Sequence, residues 1–259
     1  FTVVLNAQPD SDVVLSITSS DTGEATVTSS LTFTSANWDT AQTVTVTGAD
    51  DDLIDGTVSS TITVSVNDAA SDNNFDAVAD QTVSVSTTDD DVAGFTVTET
   101  DGSTSVTEAG GTDTFTVVLN AQPDSDVVVA ITSSDNGEAS SNSPLTFTSS
   151  NWDTPQTVTV TGVDDFLIDG TIASDLVVAI VDASSDNNFD AVADQTVSVS
   201  TTDDDAAGFT VTETGGSTSV TEAGGTDTFT VVLNAQPDSN VVLSIASSDT
   251  GEATVTSTL

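Results

Sequence analysis

The side chains of this chain that could do chemistry are nearly all carboxylates. Its 259 residues include 42 Asp and Glu but no Lys, Arg, His or Cys, so the formal net charge is −42. Acidic residues stand at four places in one complete stretch of the sequence, namely Glu108, Asp135, the group Asp164, Asp165 and Asp169, and the run Asp203, Asp204 and Asp205. Because no side chain can neutralise them, we expect cations from solution to do so.

An oxygen-only set of ligands favours calcium. Ca²⁺ takes about six to eight carboxylate, carbonyl or water oxygens in flexible geometry, whereas zinc prefers the Cys and His that this chain lacks. The competing interpretation is that these acidic loops are solvated and that their Asp side chains only cap turns. We favour that interpretation for a further acidic loop at residues 185–190, and we predict calcium sites for the four places above.

The sequence repeats every 114 residues. The stretch FTVVLNAQPDS begins at Phe1, Phe115 and Phe229. This period is too long for a solenoid unit and suits a small domain with its own core. The run STTDDD closes a copy at residues 86–91 and 200–205. We therefore predict one repeat at 1–91 without its opening strand, a complete repeat at 92–205, and the first part of a third at 206–259, as expected of a segment from a longer array.

Within the complete repeat, apolar and polar residues alternate over short segments. Such period-two segments, broken by Gly, Pro, Asn and Asp, predict strands rather than helices. The sequence predicts seven to eight strands per repeat, the last beginning at Gln195. This pattern is typical of an all-β fold built from tandem Greek-key, immunoglobulin-like β-sandwiches. The aromatic residues are predicted to fill the core; these are Phe115, Phe147, Trp152 and Phe189.

The whole repeat resembles the Calx-β domain family. The resemblance is carried by Val106-Thr107-Glu108-Ala109, by the strand at 156–160, by the acidic loop at 164–169 and by the closing acidic run at 203–205. It implies a seven-stranded sandwich whose distal loops bind calcium. The implied ligands are Glu108, Asp135, Asp164, Asp165, Asp169, Asp203, Asp204 and Asp205. The family has Gly-Thr-Ala where this chain has Gly137-Glu138-Ala139, so the chain departs from the pattern there.

The first repeat carries the same implied ligands. They are Asp21, Asp50, Asp51, Asp55, Asp89, Asp90 and Asp91. Asp52 is left out because its counterpart is Phe166, and a ligand essential to the site would not be replaced by Phe. In the third repeat only Glu222 and Asp249 fall within the sequence.

Composition and repetition limit the function. The negative charge disfavours nucleic acid and anionic membranes as partners, and no apolar run is long enough to cross a bilayer. No base, nucleophile or phosphate loop appears, and acids that recur in every repeat do not suit one active site, so we expect no enzyme.

Three functions are compatible with these features of the sequence. The first is a spacer in a long extracellular surface protein, stiffened by calcium, whose partners are neighbouring repeats. The second is an adhesive module that recognises glycans or another cell. The third is a filament in which identical chains pair through exposed edge strands.

Overall fold

The computed structural model describes residues 1–259 and is an all-β structure with tandem repeats. None of its helices is both long and apolar enough to cross a membrane. The first repeat contains eight strands: β1 (Thr2–Val3), β2 (Val13–Ser19), β3 (Ala25–Val27), β4 (Ser30–Phe33), β5 (Gln42–Thr43), β6 (Val46–Gly48), β7 (Thr57–Val66) and β8 (Gln81–Thr88).

The complete repeat contains nine strands. They are β9 (Phe95–Glu99), β10 (Thr104–Thr107), β11 (Thr112–Leu119), β12 (Val127–Ser133), β13 (Ala139–Ser141), β14 (Leu145–Phe147), β15 (Gln156–Gly162), β16 (Thr171–Ile180) and β17 (Gln195–Thr202). The third repeat contributes β18 (Phe209–Glu213) and β19 (Phe229–Leu233). Short 3-10 helices lie at Asp68–Ala70, Thr100–Gly102, Asp182–Ser184, Asn187–Phe189 and Thr214–Gly216.

The complete repeat is a sandwich of two sheets. One sheet has the strand order β10-β17-β16-β12-β14, and the other has the order β13-β15-β11-β9. All neighbours are antiparallel except β10 and β17, which run parallel with Thr104 opposite Val199. The fold class predicted from the sequence, an all-β sandwich, is confirmed. The predicted domain boundaries at residues 91 and 205 stay predictions.

The core lies between the two sheets because alternate residues of each strand face inward. A cluster of 18 buried hydrophobic residues joins both sheets, and Phe115, Phe147 and Phe189 are fully buried in it, as predicted. Trp152 is only half-buried against this cluster, so its predicted place inside the core is wrong. It belongs to the connection between β14 and β15, where its carbonyl accepts a hydrogen bond from the Leu119 amide (3.1 Å).

The incomplete repeats bury less. In the first repeat the core cluster contains 8 buried residues, drawn mainly from β2, β4 and β7. In the third repeat, β18 pairs with β19, and both strands keep the register seen between β9 and β11. The smaller cores follow from the strands that residues 1–91 and 206–259 lack relative to the complete repeat.

Two features of the strands are not predicted by the alternation of apolar and polar residues. The short strand β13 has one fully buried apolar residue, Ala139, and it is held by its backbone pairing with the end of β15. Strand β16 begins at Thr171, before its apolar residues, because its first residues pair with the end of β17 through Thr171 and Thr202. Both segments are defined by backbone pairing more than by apolar alternation, so the pattern of side chains alone does not mark them.

The core predicts a large cost for removing Phe115. Changing Phe115→Ala should lower the free energy of unfolding by about 3–5 kcal/mol, because the cavity is left in a fully buried site. The matched control Phe166→Ala removes a ring that is 65% exposed and should change stability by less than about 0.5 kcal/mol. Denaturant unfolding followed by Trp152 fluorescence in a Trp38→Phe background measures both. Equal effects of the two substitutions would contradict this core.

Candidate metal centre

The candidate site lies where β10, β15 and β17 end and β13 begins. Glu108 follows β10 directly, and its backbone amide donates to the Thr202 carbonyl of β17 (3.0 Å). Gly110 then takes a left-handed φ of 81°, and the Gly111 amide closes the turn onto the Thr107 carbonyl (3.0 Å). This tight turn holds Glu108 inside the end of the sandwich.

A glycine at the end of β15 makes room for this turn. A Cβ atom on Gly162 would collide with the Thr107 carbonyl oxygen, so only glycine permits β15 to pass so close to the turn. The Gly162 amide donates to the Gly111 carbonyl (2.9 Å) and joins the two segments. The close approach shields the carboxylate of Glu108 from water.

Glu108 is the central residue of the site. Its side chain is 1% exposed, yet neither of its carboxylate oxygens has a hydrogen-bond partner. Burial raises the pKa of Glu108 from its ordinary value of 4.5 to about 7, and the nearby Asp169, Asp203 and Glu138 add to the rise. A buried carboxylate without a partner is costly. It therefore points to a ligand that supplies positive charge.

Two groups of carboxylates share Glu108. Glu108, Glu138 and Asp169 have one oxygen each within 4.8 Å of one another, and so do Glu108, Asp203 and Asp205. The pKa of Glu138 is raised, first by burial and then by the charge of Asp169. The pKa of Asp205 is raised as well, first by burial and then by the charge of Asp203. One oxygen each of Glu138 and Asp205 is also buried without a partner. The two groups could hold one or two divalent cations.

The acidic run after β17 is shaped by hydrogen bonds to its first member. One oxygen of Asp203 accepts from the Asp205 amide (2.7 Å), and the other accepts from the Gly170 amide (2.9 Å). These contacts fix the run against the loop between β15 and β16. They also leave Asp203 close enough to Glu108 to join its group.

The structure separates the predicted ligands into two classes. Glu108, Asp169, Asp203 and Asp205 are brought together, and Asp165 lies near enough to raise the pKa of Glu108 by its charge. Asp135, Asp164 and Asp204 belong to neither group, although after burial the charge of Asp135 adds to the raised pKa of Glu138, and the charges of Asp204 and Asp164 add to that of Asp205. Asp135 instead caps a turn by accepting from the Gly137 amide (2.9 Å).

Glu138 is the residue that sequence reasoning missed. It is 6% exposed, and it lies immediately before β13, where it faces the site. The sequence predicts Asp135 as the ligand of this loop and marks Glu138 only as a departure from the family pattern. The sequence does contain a signal for this residue, because Glu recurs at the same position of each repeat, as Glu24, Glu138 and Glu252.

The first repeat brings together most of its predicted ligands. Its acids line a small cavity of about 30 Å³; they are Glu24, Asp50, Asp51, Asp55, Asp89, Asp90 and Asp91. Burial raises the pKa of Glu24 and of Asp91, whereas backbone hydrogen bonds from the Asp91 and Gly56 amides lower that of Asp89. Asp21 is exposed and caps a turn through the Gly23 amide (3.0 Å), as Asp135 does in the next repeat.

In the third repeat, Glu222 and Glu252 line one cavity but are exposed, and Asp249 caps a turn through the Gly251 amide (2.9 Å).

The acidic loop at residues 185–190, for which the sequence favours turn capping, contains the buried Asp186. Its two carboxylate oxygens accept from the Ser125 amide (2.9 Å) and the Asn188 amide (2.9 Å). The side chain is thus occupied by the backbone, which agrees with that interpretation.

Comparisons with known proteins leave the family open. No protein-family model and no curated protein matches this chain. Among solved structures, the surface-layer protein rSbsC(31-844) is 14% identical, with a TM-score of 0.35, and the match covers 89% of this chain. The chain spans only 25% of that protein.

Two further structures are similar over shorter stretches. The calcium binding domain CBD12 of CALX1.1 is 14% identical with a TM-score of 0.31, and the match covers 69% of this chain and 73% of that one. SSP-19 of Caenorhabditis elegans is 22% identical with a TM-score of 0.27, and the match covers 40% of this chain and 94% of that one. At such TM-scores these matches carry no argument about function.

The raised pKa of Glu108 predicts an unusual pH dependence in chelator. Between the ordinary pKa of 4.5 and the raised pKa of about 7, the folded state holds a proton on Glu108 that the unfolded state has released, so stability should fall as pH rises through this window and level off above it. Melting curves followed by Trp152 fluorescence in a Trp38→Phe background would measure this trend. The melting temperature of the variant Glu108→Gln should depend much less on pH over the same range. An equally steep dependence would contradict the assignment of the raised pKa to Glu108.

Proposed function

We propose that the chain is a structural segment of a long extracellular surface protein, in which tandem β-sandwich repeats are stabilised by Ca²⁺ bound at the acidic ends. One observation carries this proposal. Glu108 is buried without a partner among Glu138, Asp169, Asp203 and Asp205 in a chain that has no Lys, Arg or His. No side chain of this protein can supply the positive charge that would balance such a cluster, whereas a cation from solution can.

The donor set suits calcium better than other metals. Every available side-chain ligand is a carboxylate, which matches the hard oxygen ligands that Ca²⁺ prefers. Mg²⁺ demands a stricter octahedral geometry and keeps several waters, which suits a buried, many-carboxylate site less well. When bound, Ca²⁺ would supply positive charge at the point where the carboxylates of the loops repel one another.

The repeats themselves favour a spacer over a catalyst. Acids of the corresponding loops also gather at the end of the first repeat, although residues 1–91 contain no counterpart of Glu108. Repetition of one metal-stabilised domain yields length, and its partners are the neighbouring repeats of the chain. We propose that the segment is not an enzyme, that it binds neither nucleic acid nor membrane, and that identical chains can associate into a fibre.

An adhesive binding module is the second candidate. The outer face of one sheet has threonines side by side, with Thr98, Thr116 and Thr157 in register on β9, β11 and β15. Such a row of uncharged hydroxyl groups could recognise a glycan or another cell surface. A glycan-binding screen of the parent chain against a variant with Thr98, Thr116 and Thr157 changed to Lys would detect that activity.

Calcium is predicted to stabilise the fold beyond its effect on ionic strength. A ligand that binds only the folded state stabilises it by about 2.7 kcal/mol when its free concentration is 100 times its Kd. Calcium should therefore raise the melting temperature more than sodium chloride of equal ionic strength. An equal effect of the two salts would leave only screening and would contradict the proposal.

Substitution of Glu108 distinguishes calcium binding at this site from the general effect of ionic strength. The variant Glu108→Gln should lose the specific calcium response of the second repeat, yet in chelator it should melt no lower than the parent, because a buried charge has been removed. The matched control is Asp194→Asn, an exposed acid outside the cluster. This control should keep the full calcium response. If both variants respond to calcium alike, Glu108 is not a ligand.

A further inference from the structure

The loop between β6 and β7 of the first repeat, residues 50–56, contacts the second repeat through its backbone. Leu53 forms a parallel β-bridge with Gln122. The Gln122 amide also donates a hydrogen bond to the Asp52 carbonyl (2.8 Å). Because main-chain groups make both contacts, they set the register of the loop on the second repeat without requiring a particular side chain at position 52.

Two side chains complete this joint. Ile54 is half-buried and packs against the core cluster of the second repeat. Its carbonyl accepts a hydrogen bond from the side-chain amide of Asn188 (3.3 Å), which lies on the second repeat. The joint therefore combines backbone pairing with the burial of an apolar side chain, and none of these contacts involves a carboxylate.

The same joint recurs 114 residues later. Leu167 forms a parallel bridge with Gln236 of the third repeat, and the Gln236 amide donates to the Phe166 carbonyl (2.6 Å). The accepting carbonyl thus belongs to an Asp in the first loop and to a Phe in the second. A contact that tolerates this change and recurs between two pairs of repeats is a property of the repeat itself.

Both sides of the joint are held in place by their own repeats. Asp51 accepts a hydrogen bond from the Leu53 amide (2.9 Å), which fixes the loop. The Gln122 side chain donates to the Ser149 carbonyl (3.1 Å), and Gln8 makes the corresponding bond in the first repeat (3.0 Å), on which no loop docks. Because little conformational freedom is lost on docking, the contacts can add to stability.

The corresponding end of the first repeat shows the chemistry of the surface that receives the loop. It forms a cavity of about 570 Å³ whose lining includes Leu5, Gln8, Asn74, Phe75 and Val78. Val78 is 51% exposed and Phe75 is half-buried, whereas Phe189, the counterpart of Phe75, is completely buried in the second repeat. This end of the first repeat has neither a docked loop nor a counterpart of β9. The receiving end is therefore apolar, and covering it is favourable.

The first two repeats differ in how much a joint can stabilise them. The first repeat has a core cluster of 8 buried residues, against 18 in the second. In a linear array, stability is roughly the sum of the stability of each repeat and of the contacts between neighbours. When the less stable repeat unfolds, the contacts at its joint are lost with it. These contacts therefore add to the stability of the repeat with the smaller core.

We propose that the loop at residues 50–56 and the surface around Gln122 and Asn188 form a docking interface through which the second repeat stabilises the first. The partner that this surface fits is a loop of the same kind on the preceding repeat, with backbone groups free for a bridge and an apolar side chain beside them. The interface is heterologous, because the loop meets a different surface on the next repeat, and such contacts can continue along an array. This inference goes beyond the proposed function, because it needs no bound cation.

Melting curves of the whole chain test this interface, with calcium at one fixed concentration in every sample. Trp152→Phe leaves Trp38 as the fluorescent reporter of the first repeat, and Trp38→Phe leaves Trp152 as the reporter of the second. The double substitution Leu53→Ser and Ile54→Ser should lower the melting temperature reported by Trp38 by about 4–8 °C. The reason is that it removes the apolar contact with the second repeat.

A matched control makes the same change in the next loop. The double substitution Leu167→Ser and Ile168→Ser alters the joint between the second and third repeats. It should leave the melting temperature reported by Trp38 unaltered. An equal fall in this control would show that the effect does not pass through the first joint, and it would overturn the proposal.

Substitutions on the second repeat give the sharper test, because they change no residue of the first repeat. Gln122→Pro removes the amide that donates to the Asp52 carbonyl, and Asn188→Ala removes the hydrogen bond to the Ile54 carbonyl. Each should lower the melting temperature reported by Trp38. The signal of Trp152 shows whether the second repeat stays folded.

Each of these variants has its own control. Gln236→Pro makes the same change at the next joint, and Asn187→Ala truncates an exposed neighbour of Asn188. Neither control should alter the melting temperature of the first repeat. If Gln122→Pro unfolds the second repeat, the comparison of Asn188→Ala with Asn187→Ala decides the matter alone.

A double-mutant cycle links the two sides of the joint. Once Leu53→Ser and Ile54→Ser have undocked the loop, adding Asn188→Ala should have little further effect, because sites in contact are not additive. An unchanged melting temperature of the first repeat in every variant of the second repeat overturns the proposal. The absence of any calcium effect on melting would overturn the proposed function but not this interface, since calcium is the same in all samples compared.

Discussion

The structure depends on one electrostatic constraint: carboxylates are buried at the end of each sandwich in a chain that has no cationic side chain. Glu108 is almost completely buried, and neither of its oxygens has a partner. Desolvation and the like charges around it both oppose ionisation, so the folded chain without a cation must keep a proton there or tolerate repulsion. A bound divalent cation would resolve the conflict and convert the repulsion into attraction.

The surrounding geometry follows from this constraint. The turn at Gly110 and the close approach at Gly162 bring the end of β10 beside the end of β15, and Asp203 holds the acidic run against the loop before β16. That loop also reaches the next repeat, because its Leu167 forms a parallel bridge with Gln236. The loop that carries part of the acidic cluster is therefore the same loop that contacts the next repeat.

Much of this could be predicted from the sequence, because period-two alternation and the exact 114-residue repeat are strong signals. The sandwich and the buried phenylalanines followed from them, whereas Glu108, Asp169, Asp203 and Asp205 were implied as ligands by the resemblance to the Calx-β family. The positions of Glu138 and Trp152 did not follow, because Glu138 precedes the short strand β13, which has only one buried apolar residue, and Trp152 lies in the connection between β14 and β15, where strand periodicity does not apply. The bridge between Leu53 and Gln122 was not predicted either, because backbone contacts depend little on side-chain identity.

The most direct measurement is a high-resolution crystal structure of this chain grown with calcium, with anomalous scattering recorded to identify the ion. The account predicts an anomalous peak among Glu108, Glu138, Asp169, Asp203 and Asp205, with ligand oxygens at about 2.3–2.6 Å. A map without such a peak, in which Glu108 is protonated and hydrogen-bonded to a neighbouring carboxylate, would contradict it.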